Sequence, residues 1–264
     1  MLKAILFDLD GTIYAGKNPI KGAKETITKL RNSGLQIFFI SNASMRTRKE
    51  VATRLNDMKI FCDEKEIYNS AYVSARYIAK NFPDANVYCI SLGGLQQELR
   101  EAGVKTTEKE DTNIVLAGLD TNFTYDKLKI AFRAIYYNNA KFFATNKDHV
   151  YTLEEGLVPG GGTIIAALEY ATRRKAINLG KPEKYLLDAI LADNHLKKSE
   201  VILIGDNYET DILMAKKEGI RSVLVLSGVT KKNELKKLKK KQMPDFVIEK
   251  MKELETIVQG LFSF

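Results

Sequence analysis

The amino-acid sequence predicts an α/β protein, in which a doubly wound parallel sheet carries a second, inserted α/β domain. Apolar runs without polar alternation, typical of strands buried on both faces, follow one another with helical segments between them. Several of these runs end at short polar turns. Strands and helices that alternate in this way form parallel sheets, which bind ligands beyond the carboxyl ends of their strands.

The first strand is predicted over residues 4–7 and ends at the stretch Asp8-Leu9-Asp10-Gly11-Thr12. Two carboxylates one residue apart repel each other and raise each other's pKa unless a cation lies between them. A solvated surface turn would also fit an isolated Asp-x-Asp. An EF-hand loop is disfavoured, because Gly11 directly follows Asp10 and residues 14–16 supply no ligands.

A second buried strand is predicted over residues 35–40, and it ends at the polar pair Ser41 and Asn42. Helices are predicted over residues 20–33, 46–59 and 69–80. The polar pair therefore lies where the first polar turn lies, at the carboxyl end of a buried strand.

The inserted domain is predicted over residues 80–175, between core segments 1–79 and 176–264. Its strands are expected at 86–91, 114–119 and 141–144, and its helices at 125–138 and 163–173. The glycine-rich residues 159–163 could form a phosphate loop, but they lack the Gly-Lys-Ser/Thr ending of a P-loop. A tight turn that caps the next helix is the favoured interpretation.

The core pattern then resumes. Gly180-Lys181-Pro182 precedes a helix that runs to about residue 194, and the strand over 201–204 ends at Gly205-Asp206. Asp211 is expected to open a helix with Thr210 as its cap. The last strands are predicted over residues 222–226 and 246–248.

Composition narrows the classes of function. Of the 264 residues, 45% are hydrophobic and 28% charged, and no apolar run approaches the ~20 residues of a membrane span. Asp8 comes too early for a signal peptide, and the only cysteines, Cys62 and Cys89, have no motif spacing. A cytoplasmic protein is therefore expected. With only two histidines, any metal should be a hard ion held by oxygen.

The net charge of +8 raises the possibility of a nucleic-acid partner. Much of the excess lies in the lysine-rich residues 231–241, where no aromatic side chains are interleaved. A solvated helix face is favoured over a nucleic-acid patch, and neither a nucleic acid nor a membrane is predicted as a partner. A further interpretation is that this positive charge attracts anionic substrates towards the protein.

The polar turns can converge at one edge of the sheet. They would bring together Asp8, Asp10, Ser41, Asn42, Lys181, Asp206 and Asp211. Several carboxylates around one point require a divalent cation, and one lysine with hydroxyl and amide donors suits a phosphate. A carboxylate beside Mg²⁺ stays ionised and can attack phosphorus.

These motifs resemble those of the haloacid dehalogenase-like phosphatases over nearly the whole chain. Asp8 to Thr12 is similar to the first motif, Ser41-Asn42 to the second, Lys181 to the third, and Gly205-Asp206 with Asp211 to the fourth. The insertion resembles a type C2 cap on a Rossmann-like core. Three further stretches, Thr145-Asn146-x-Asp148, Pro159-Gly160-x-Gly162 and Gly180-Lys181-Pro182, resemble the class IIA, NagD-like and para-nitrophenyl phosphatase branch.

The resemblance implies a role for each matching residue. Asp8 would be the nucleophile that forms an aspartyl-phosphate, and Asp10 would be the general acid and base. The carboxylates of Asp8 and Asp206 and the backbone carbonyl of Asp10 would hold Mg²⁺, with Asp211 orienting its water shell. Ser41, Asn42 and Lys181 would hold the phosphoryl oxygens. The branch usually has a second asparagine where this chain has Ala43, which removes one side-chain contact with phosphate.

A magnesium-dependent phosphatase of small phosphorylated metabolites, of the sugar phosphate, nucleotide or phosphoglycolate class, is therefore predicted. A dehalogenase is disfavoured because Asp10 is present, and a catalytically weak binding or regulatory protein is the alternative. Selectivity is expected from the cap, where Asn146, Asp148 and Tyr151 would meet the leaving group; a surface turn is the structural alternative. A homodimer through the cap is left open.

Overall fold

The computed structural model describes residues 1–153 and 156–262, in which the chain forms two compact units. The first unit contains Met1–Ser41, Ala52–Tyr68 and the described residues from Leu187 onward. The second contains Asn42–Val51 and Asn69–Leu186. Each unit has a parallel sheet of its own.

The strands are, in chain order, β1 (Ala4–Asp8), β2 (Tyr14–Ala15), β3 (Asn18–Pro19), β4 (Gln36–Ser41), β5 (Ile67–Asn69), β6 (Asn86–Ile90), β7 (Lys105–Thr107), β8 (Ile114–Ala117), β9 (Lys141–Ala144), β10 (Val150–Leu153), β11 (Gly156–Pro159), β12 (Ile177–Asn178), β13 (Val201–Gly205), β14 (Arg221–Val225) and β15 (Phe246–Ile248). The α-helices are α1 (Ala23–Asn32), α2 (Arg48–Asp57), α3 (Ser70–Asn81), α4 (Gly93–Glu101), α5 (Tyr125–Tyr136), α6 (Gly161–Thr172), α7 (Tyr185–Asp193), α8 (Leu213–Glu218), α9 (Lys232–Leu235) and α10 (Leu254–Phe262).

The sheet of the first unit has the strand order β15-β14-β13-β1-β4-β5. β1 lies between β13 and β4 and is parallel to both, with Phe7 opposite Ile204 on one side and Phe39 on the other. All five residues of β1 are buried, as expected for a central strand without alternation. The carboxyl ends of β1, β4 and β13 therefore lie at one edge of this sheet.

The sheet of the second unit has the order β12-β9-β8-β6-β7, with its paired strands parallel, and both of its faces are covered. On one face, Ile135 of α5 and Leu168 of α6 pack among buried sheet residues. On the other face, Ile78 of α3 and Leu99 of α4 do the same. The separate hairpin of β10 and β11 is antiparallel. The α/β fold with an inserted α/β unit is as predicted.

The change from one unit to the other does not coincide with the predicted domain boundaries. Residues 69–79 were expected in the core, but α3 belongs to the second unit, because Ala71, Ala75 and Ile78 are buried with Leu95 and Leu99 of α4. The return to the first unit falls between Leu186 and Leu187. The assignment of residues 80–175 as a cap that selects the substrate stays a prediction.

Local details differ from the predicted elements near residue 211. Asp211 does not open a helix behind a Thr210 cap; it lies inside a π-helical turn, Tyr208–Ile212, which leads into α8. The side chain of Asn207 caps this turn by accepting the N–H of Glu209 at 2.9 Å. One-turn π-helices of this kind are often found at functional sites.

The lysine-rich segment is mostly exposed, but it forms only the short helix α9 and a 3₁₀ turn, Lys240–Gln242, instead of one long helix. Leu235 is buried against Ile212 and Leu224 and holds the segment to the first unit. Among the described residues, no helix is long and apolar enough to cross a membrane.

Candidate functional site

Three buried aspartates form a cluster in the first unit. Asp8, Asp206 and Asp211 each offer one carboxylate oxygen, and these oxygens lie within 4.8 Å of one another. Asp8 is the last residue of β1, and Asp206 directly follows the neighbouring parallel strand β13. The sheet therefore brings the first two together, and the π-helical turn supplies the third.

Asp206 is held from two sides. Its Oδ2 accepts the amide N–H of Val229 at 2.6 Å, and its Oδ1 accepts the hydroxyl of Thr12 at 3.5 Å. Gly228 lies so close that a Cβ on it would collide with the carboxylate of Asp206. The loop after β14 therefore fixes one wall of the cluster, and only glycine fits at residue 228.

Asp211 has a bond of its own inside the turn, where its Oδ2 accepts the N–H of Asn207 at 3.2 Å. Asp211 is fully buried, and Asp206 is 2% exposed. Carboxylates buried this deeply must be compensated by positive charge or hydrogen bonds.

Asp10 lies outside the cluster. Its side chain is exposed, and its Oδ2 accepts the hydroxyl of Tyr14 at 3.3 Å. The turn that carries it closes through the N–H of Gly11, which donates to the carbonyl of Tyr14 at 2.8 Å. The hydroxyl of Tyr14 therefore helps to hold the carboxyl group of Asp10.

The donor set of the cluster fits a hard divalent cation. Opposite oxygens around an octahedral Mg²⁺ are separated by about 4 Å, since each ligand lies ~2.1 Å from the ion. The distances within the cluster allow such an arrangement. Among the described residues, no other group of acidic, histidine or cysteine side chains meets the same criterion. Asp211 was predicted to orient the water shell of the ion. In the structure, one of its carboxylate oxygens lies within the cluster, together with those of Asp8 and Asp206.

The other predicted residues divide between the two units. Ser41, at the end of β4, is buried in the first unit. Asn42 and Lys181 are buried in the second unit and are bonded to each other twice. The Asn42 Oδ1 accepts the N–H of Lys181 at 2.7 Å, and the Asn42 Nδ2 donates to the carbonyl of Lys181 at 3.1 Å.

Asn146 and Asp148 join this pair. The Nδ2 of Asn146 donates to the carbonyl of Asn42 at 2.7 Å, and both carboxylate oxygens of Asp148 accept from the Nδ2 of Asn42, at 3.0 and 3.1 Å. The N–H of Asp148 also donates to Oδ1 of Asn146 at 3.2 Å. These two side chains, predicted to meet the leaving group, therefore make bonds within the second unit. Tyr151 is half-buried in β10, opposite Val158 of β11.

Glu169 of α6 supports the loop that contains Asp148. Its carboxylate accepts Lys147 Nζ at 2.7 Å, Lys175 Nζ at 2.8 Å and the N–H of Ala176 at 2.9 Å. Burial raises the pKa of Glu169, but these three bonds outweigh that effect and lower the pKa to about 2.

The glycine-rich residues 159–163 connect β11 to α6: Pro159 ends the strand, and Gly160 is the cap of the helix. The N–H groups of Gly160 and Gly162 donate to the carbonyls of His149 and Asp148, at 2.8 and 2.9 Å. A Cβ on Gly160 would collide with the Asp148 carbonyl. These contacts favour the predicted tight turn, because the N–H groups of Gly160 and Gly162 are already bonded to backbone carbonyls and do not cradle a phosphate.

Comparison with known proteins places the chain in a family. Residues 5–105 match the haloacid dehalogenase-like hydrolases, and residues 178–254 match a second HAD-like hydrolase family. The chain is 37% identical over 244 residues to an acid sugar phosphatase of Staphylococcus haemolyticus, with 92% of each chain covered.

Two solved structures are similar over almost all of this chain. A p-nitrophenyl phosphatase from Archaeoglobus fulgidus has a TM-score of 0.90 at 31% identity, covering 96% of this chain and 98% of that one. A glycerol phosphate phosphatase from Mycobacterium tuberculosis, in complex with magnesium, has a TM-score of 0.89 at 28% identity, covering 96% and 76%.

The fold and the acidic cluster are those of an α/β enzyme with a candidate metal site built from oxygen ligands. The chain belongs to the haloacid dehalogenase-like hydrolases, and the predicted class IIA, NagD-like membership is confirmed.

Sequence reasoning missed several residues that support the site. Thr12 stands in the first motif, so its position could have suggested its bond to Asp206. Val229 contributes its backbone N–H, and this contact could not be predicted from the type of its side chain. Glu169 stands inside a helix, and nothing in the sequence connects it to Lys147, 22 residues away.

Proposed function

We propose that this protein is a magnesium-dependent phosphatase that hydrolyses small phosphomonoesters through an aspartyl-phosphate on Asp8. The observation that carries the proposal is the buried cluster of Asp8, Asp206 and Asp211 in a chain of this hydrolase family. The relatives named above are a sugar phosphatase, a p-nitrophenyl phosphatase and a glycerol phosphate phosphatase. Phosphomonoester hydrolysis is the reaction that they share.

In the first half-reaction, a carboxylate oxygen of Asp8 attacks phosphorus. The bond between Asp8 and phosphorus forms while the bond from phosphorus to the leaving oxygen breaks. Asp10 gives its proton to that oxygen, so the alcohol leaves as a neutral molecule. The exposed carboxyl of Asp10, outside the cluster and bonded to Tyr14, suits a group that must gain and lose a proton.

In the second half-reaction, the ionised Asp10 takes a proton from water while the water oxygen attacks phosphorus. The bond between phosphorus and Asp8 breaks, and inorganic phosphate leaves. Asp8 is again a carboxylate and Asp10 again a carboxylic acid. The two steps together convert a phosphomonoester and water into an alcohol and phosphate.

Asp8, Asp206 and Asp211 would hold Mg²⁺, with the backbone carbonyl of Asp10 as a further proposed ligand. When bound, the ion supplies positive charge that offsets the charge of the carboxylates and of the phosphoryl oxygens. The bonds from Val229 and Thr12 keep Asp206 in place for this task. The glycerol phosphate phosphatase in complex with magnesium supports the choice of ion.

Ser41 and Lys181 are the proposed ligands of the phosphoryl group. A hydroxyl donor and an ammonium group suit phosphate oxygens, because phosphate accepts hydrogen bonds and is negatively charged. Both side chains are buried, where such contacts are stronger than in water.

The proposed substrate is a small phosphorylated metabolite of the sugar phosphate, nucleotide or phosphoglycolate class. The name of the acid sugar phosphatase supports the first of these classes. Recognition of the sugar or alcohol is assigned to the cap, residues 80–175, because the core residues provide groups only for the metal and the phosphate.

A cytoplasmic location and a homodimer formed through the cap are also part of the proposal. Cys62 and Cys89 are free thiols, which suits a reducing compartment. On the second unit, Tyr136 and Tyr137 are exposed; Tyr136 stacks on Phe132, and Tyr137 contacts both rings edge to face, which suits a contact surface. Light scattering of the wild type against Tyr136→Ser/Tyr137→Ser tests the dimer, and a monomeric wild type would contradict it.

The test of the reaction is hydrolysis of p-nitrophenyl phosphate by purified protein, before and after removal of metal with EDTA. Activity should vanish with EDTA and return with Mg²⁺. Asp8→Asn should have no turnover while its circular dichroism stays that of the wild type. Asp57→Asn, on an exposed residue at the end of α2, is the matched control and should keep full activity.

Near wild-type turnover in Asp8→Asn would contradict the covalent mechanism. Activity that survives thorough chelation would remove the metal from the proposal. A panel of sugar phosphates, nucleoside monophosphates and phosphoglycolate then ranks the substrates by kcat/KM.

A further inference from the structure

The side chain of Asn42 forms a closed pair with the backbone of Lys181. One carboxamide accepts the N–H of Lys181 at 2.7 Å and donates to the carbonyl of the same residue at 3.1 Å. An asparagine carboxamide provides an acceptor and a donor side by side, so it can bond both groups of one residue. The two bonds fix the peptide orientation from which the Lys181 side chain begins.

The donors of Asn42 are fully used in these bonds. Its Nδ2 carries two protons, which go to the carbonyl of Lys181 and to the carboxylate of Asp148. The direction of the carboxamide is fixed by chemistry, since the N–H of Lys181 can only donate and the ionised Asp148 can only accept. A phosphate oxygen needs a donor, and the Asn42 side chain has none left for it.

The backbone of Asn42 is also anchored. Its carbonyl accepts from Asn146 Nδ2 at 2.7 Å and from Ser70 Oγ at 2.6 Å. Asn42 is 8% exposed and Lys181 is 3% exposed, so water competes little for these bonds. Asn42 is therefore held at both ends, by its own backbone and by its side chain.

We propose that Asn42 is a positioning residue for Lys181, not a phosphate ligand through its side chain, and that Asp148 acts through Asn42. This inference rests on the proposed function, in which Lys181 binds the phosphoryl group. Asp148 orients the carboxamide of Asn42, and Asn146 holds the carbonyl of Asn42 and the N–H of Asp148. The resemblance to the family implied different roles: Asn42 on phosphate, and Asp148 and Asn146 on the leaving group.

Glu169 extends the same arrangement. It holds Lys147, the residue between Asn146 and Asp148, and it holds the N–H of Ala176, directly before β12, the strand that leads to Gly180 and Lys181. One carboxylate thus connects the loop that orients Asn42 with the segment that carries Lys181.

The experiment is a double-mutant cycle of Asn42→Ala and Lys181→Met, assayed with p-nitrophenyl phosphate and glycerol phosphate in Mg²⁺. In the wild-type background, Asn42→Ala should lower kcat/KM by ~10²-fold, the cost of a misplacement of about 1 Å. In the Lys181→Met background, the same change should cost less than about threefold, because the residue that Asn42 positions is gone. Asn81→Ala, on an exposed asparagine at the end of α3, is the matched control.

A second cycle tests Asp148. If Asp148 acts through Asn42, Asp148→Ala should lower kcat/KM equally for both substrates and should add little to the loss in Asn42→Ala. The proposal would be overturned if, in either cycle, the loss in kcat/KM of the double variant equalled the product of the two single losses. Independent losses of this kind would mean that Asn42 or Asp148 contacts the substrate directly. A loss in Asp148→Ala that differs between the two substrates would have the same consequence.

A failure of the proposed function can be distinguished from a failure of the positioning proposal. If the proposed function is wrong, the wild type will hydrolyse neither substrate in Mg²⁺. The positioning contacts are still tested in that case by urea unfolding of Asn42→Ala, Asp148→Ala and the double variant. Each single change should lower the urea midpoint, and the double variant should lower it by less than the sum. Additive shifts would overturn the proposed coupling.

Discussion

The amide N–H of Val229 donates to Oδ2 of Asp206 at 2.6 Å, across 23 residues of chain. Two further bonds strengthen this connection, because the N–H of Thr230 donates to the carbonyl of Asp206 at 3.1 Å and the Thr230 hydroxyl accepts the N–H of Tyr208 at 2.8 Å. The loop after β14 therefore supports both Asp206 and the π-helical turn that contains Asp211. The loop after β14 contributes no carboxylate to the acidic cluster, but its hydrogen bonds hold the cluster in position.

Gly228→Ala should displace Asp206, because the new Cβ would collide with its carboxylate. We expect kcat/KM to fall by ~10- to 100-fold and the Mg²⁺ concentration for half-maximal activity to rise, as happens when partners of metal ligands are removed. Gly260→Ala, in α10 with open space around it, is the control and should match the wild type. An unchanged Mg²⁺ requirement in Gly228→Ala would contradict the supporting role of the loop.

Asp10→Asn should bind metal like the wild type, because its side chain is not in the acidic cluster. Turnover should fall by ~10²–10⁴-fold, the contribution of a general acid and base. The loss should be smaller for p-nitrophenyl phosphate, whose leaving group needs little protonation, than for glycerol phosphate. Equal losses for the two substrates would show that Asp10 is not the acid.

The sequence predicted the strands well where they are buried and apolar. The strands β9 and β15 have the predicted bounds, 141–144 and 246–248. Elements without an apolar run were missed. β7, with the sequence Lys-Thr-Thr, is an example, and α4 begins with two glycines, which are poor helix formers.

The closeness of Asp8 and Asp206 was predictable, because both lie at the carboxyl ends of buried strands and parallel strands end at one edge. The bonds that orient these residues were not predictable, since they join distant positions. Asn42 and Asp148 are 106 residues apart, and their contact follows from how the second unit packs. A side chain that can bind phosphate can also bind a peptide, and the spacing of residues does not distinguish the two.

Glu169 should make the stability of the protein depend on pH in acid. Its pKa is about 2 in the folded protein against 4.5 for an ordinary glutamate, so its ionised form favours folding. The contribution is fully present above about pH 4.5 and is lost as the pH falls through about 2. The difference in urea midpoint between wild type and Glu169→Gln should therefore shrink over that window. Glu25→Gln, on the exposed side of α1, is the control and should follow the wild type.

A constant difference between wild type and Glu169→Gln from pH 6 to pH 2 would contradict the ionic contribution. It would mean that Glu169 stabilises the fold by packing alone, and that Lys147 is not held by charge.

Of the three cap residues predicted to contact the leaving group, Tyr151 is the one for which we keep this proposal. Asn146 and Asp148 are bonded to Asn42, and Tyr151 follows them at the start of the hairpin of β10 and β11. Its ring can stack on a sugar or an aromatic alcohol, and its hydroxyl can donate to an oxygen. Packing within the second unit is the alternative role for a half-buried tyrosine.

Tyr151→Ala should change kcat/KM unequally among p-nitrophenyl phosphate, glycerol phosphate and sugar phosphates, because binding energy from the non-reacting part of a substrate contributes to orientation at phosphorus. Tyr151→Phe separates the two functions of the side chain: it should keep activity on p-nitrophenyl phosphate and lose it on substrates whose hydroxyl groups need a partner. Tyr125→Ala, on a tyrosine that is 78% exposed at the start of α5, is the control and should have no effect. A uniform change across the substrates, accompanied by a lower urea midpoint, would instead assign Tyr151 to packing.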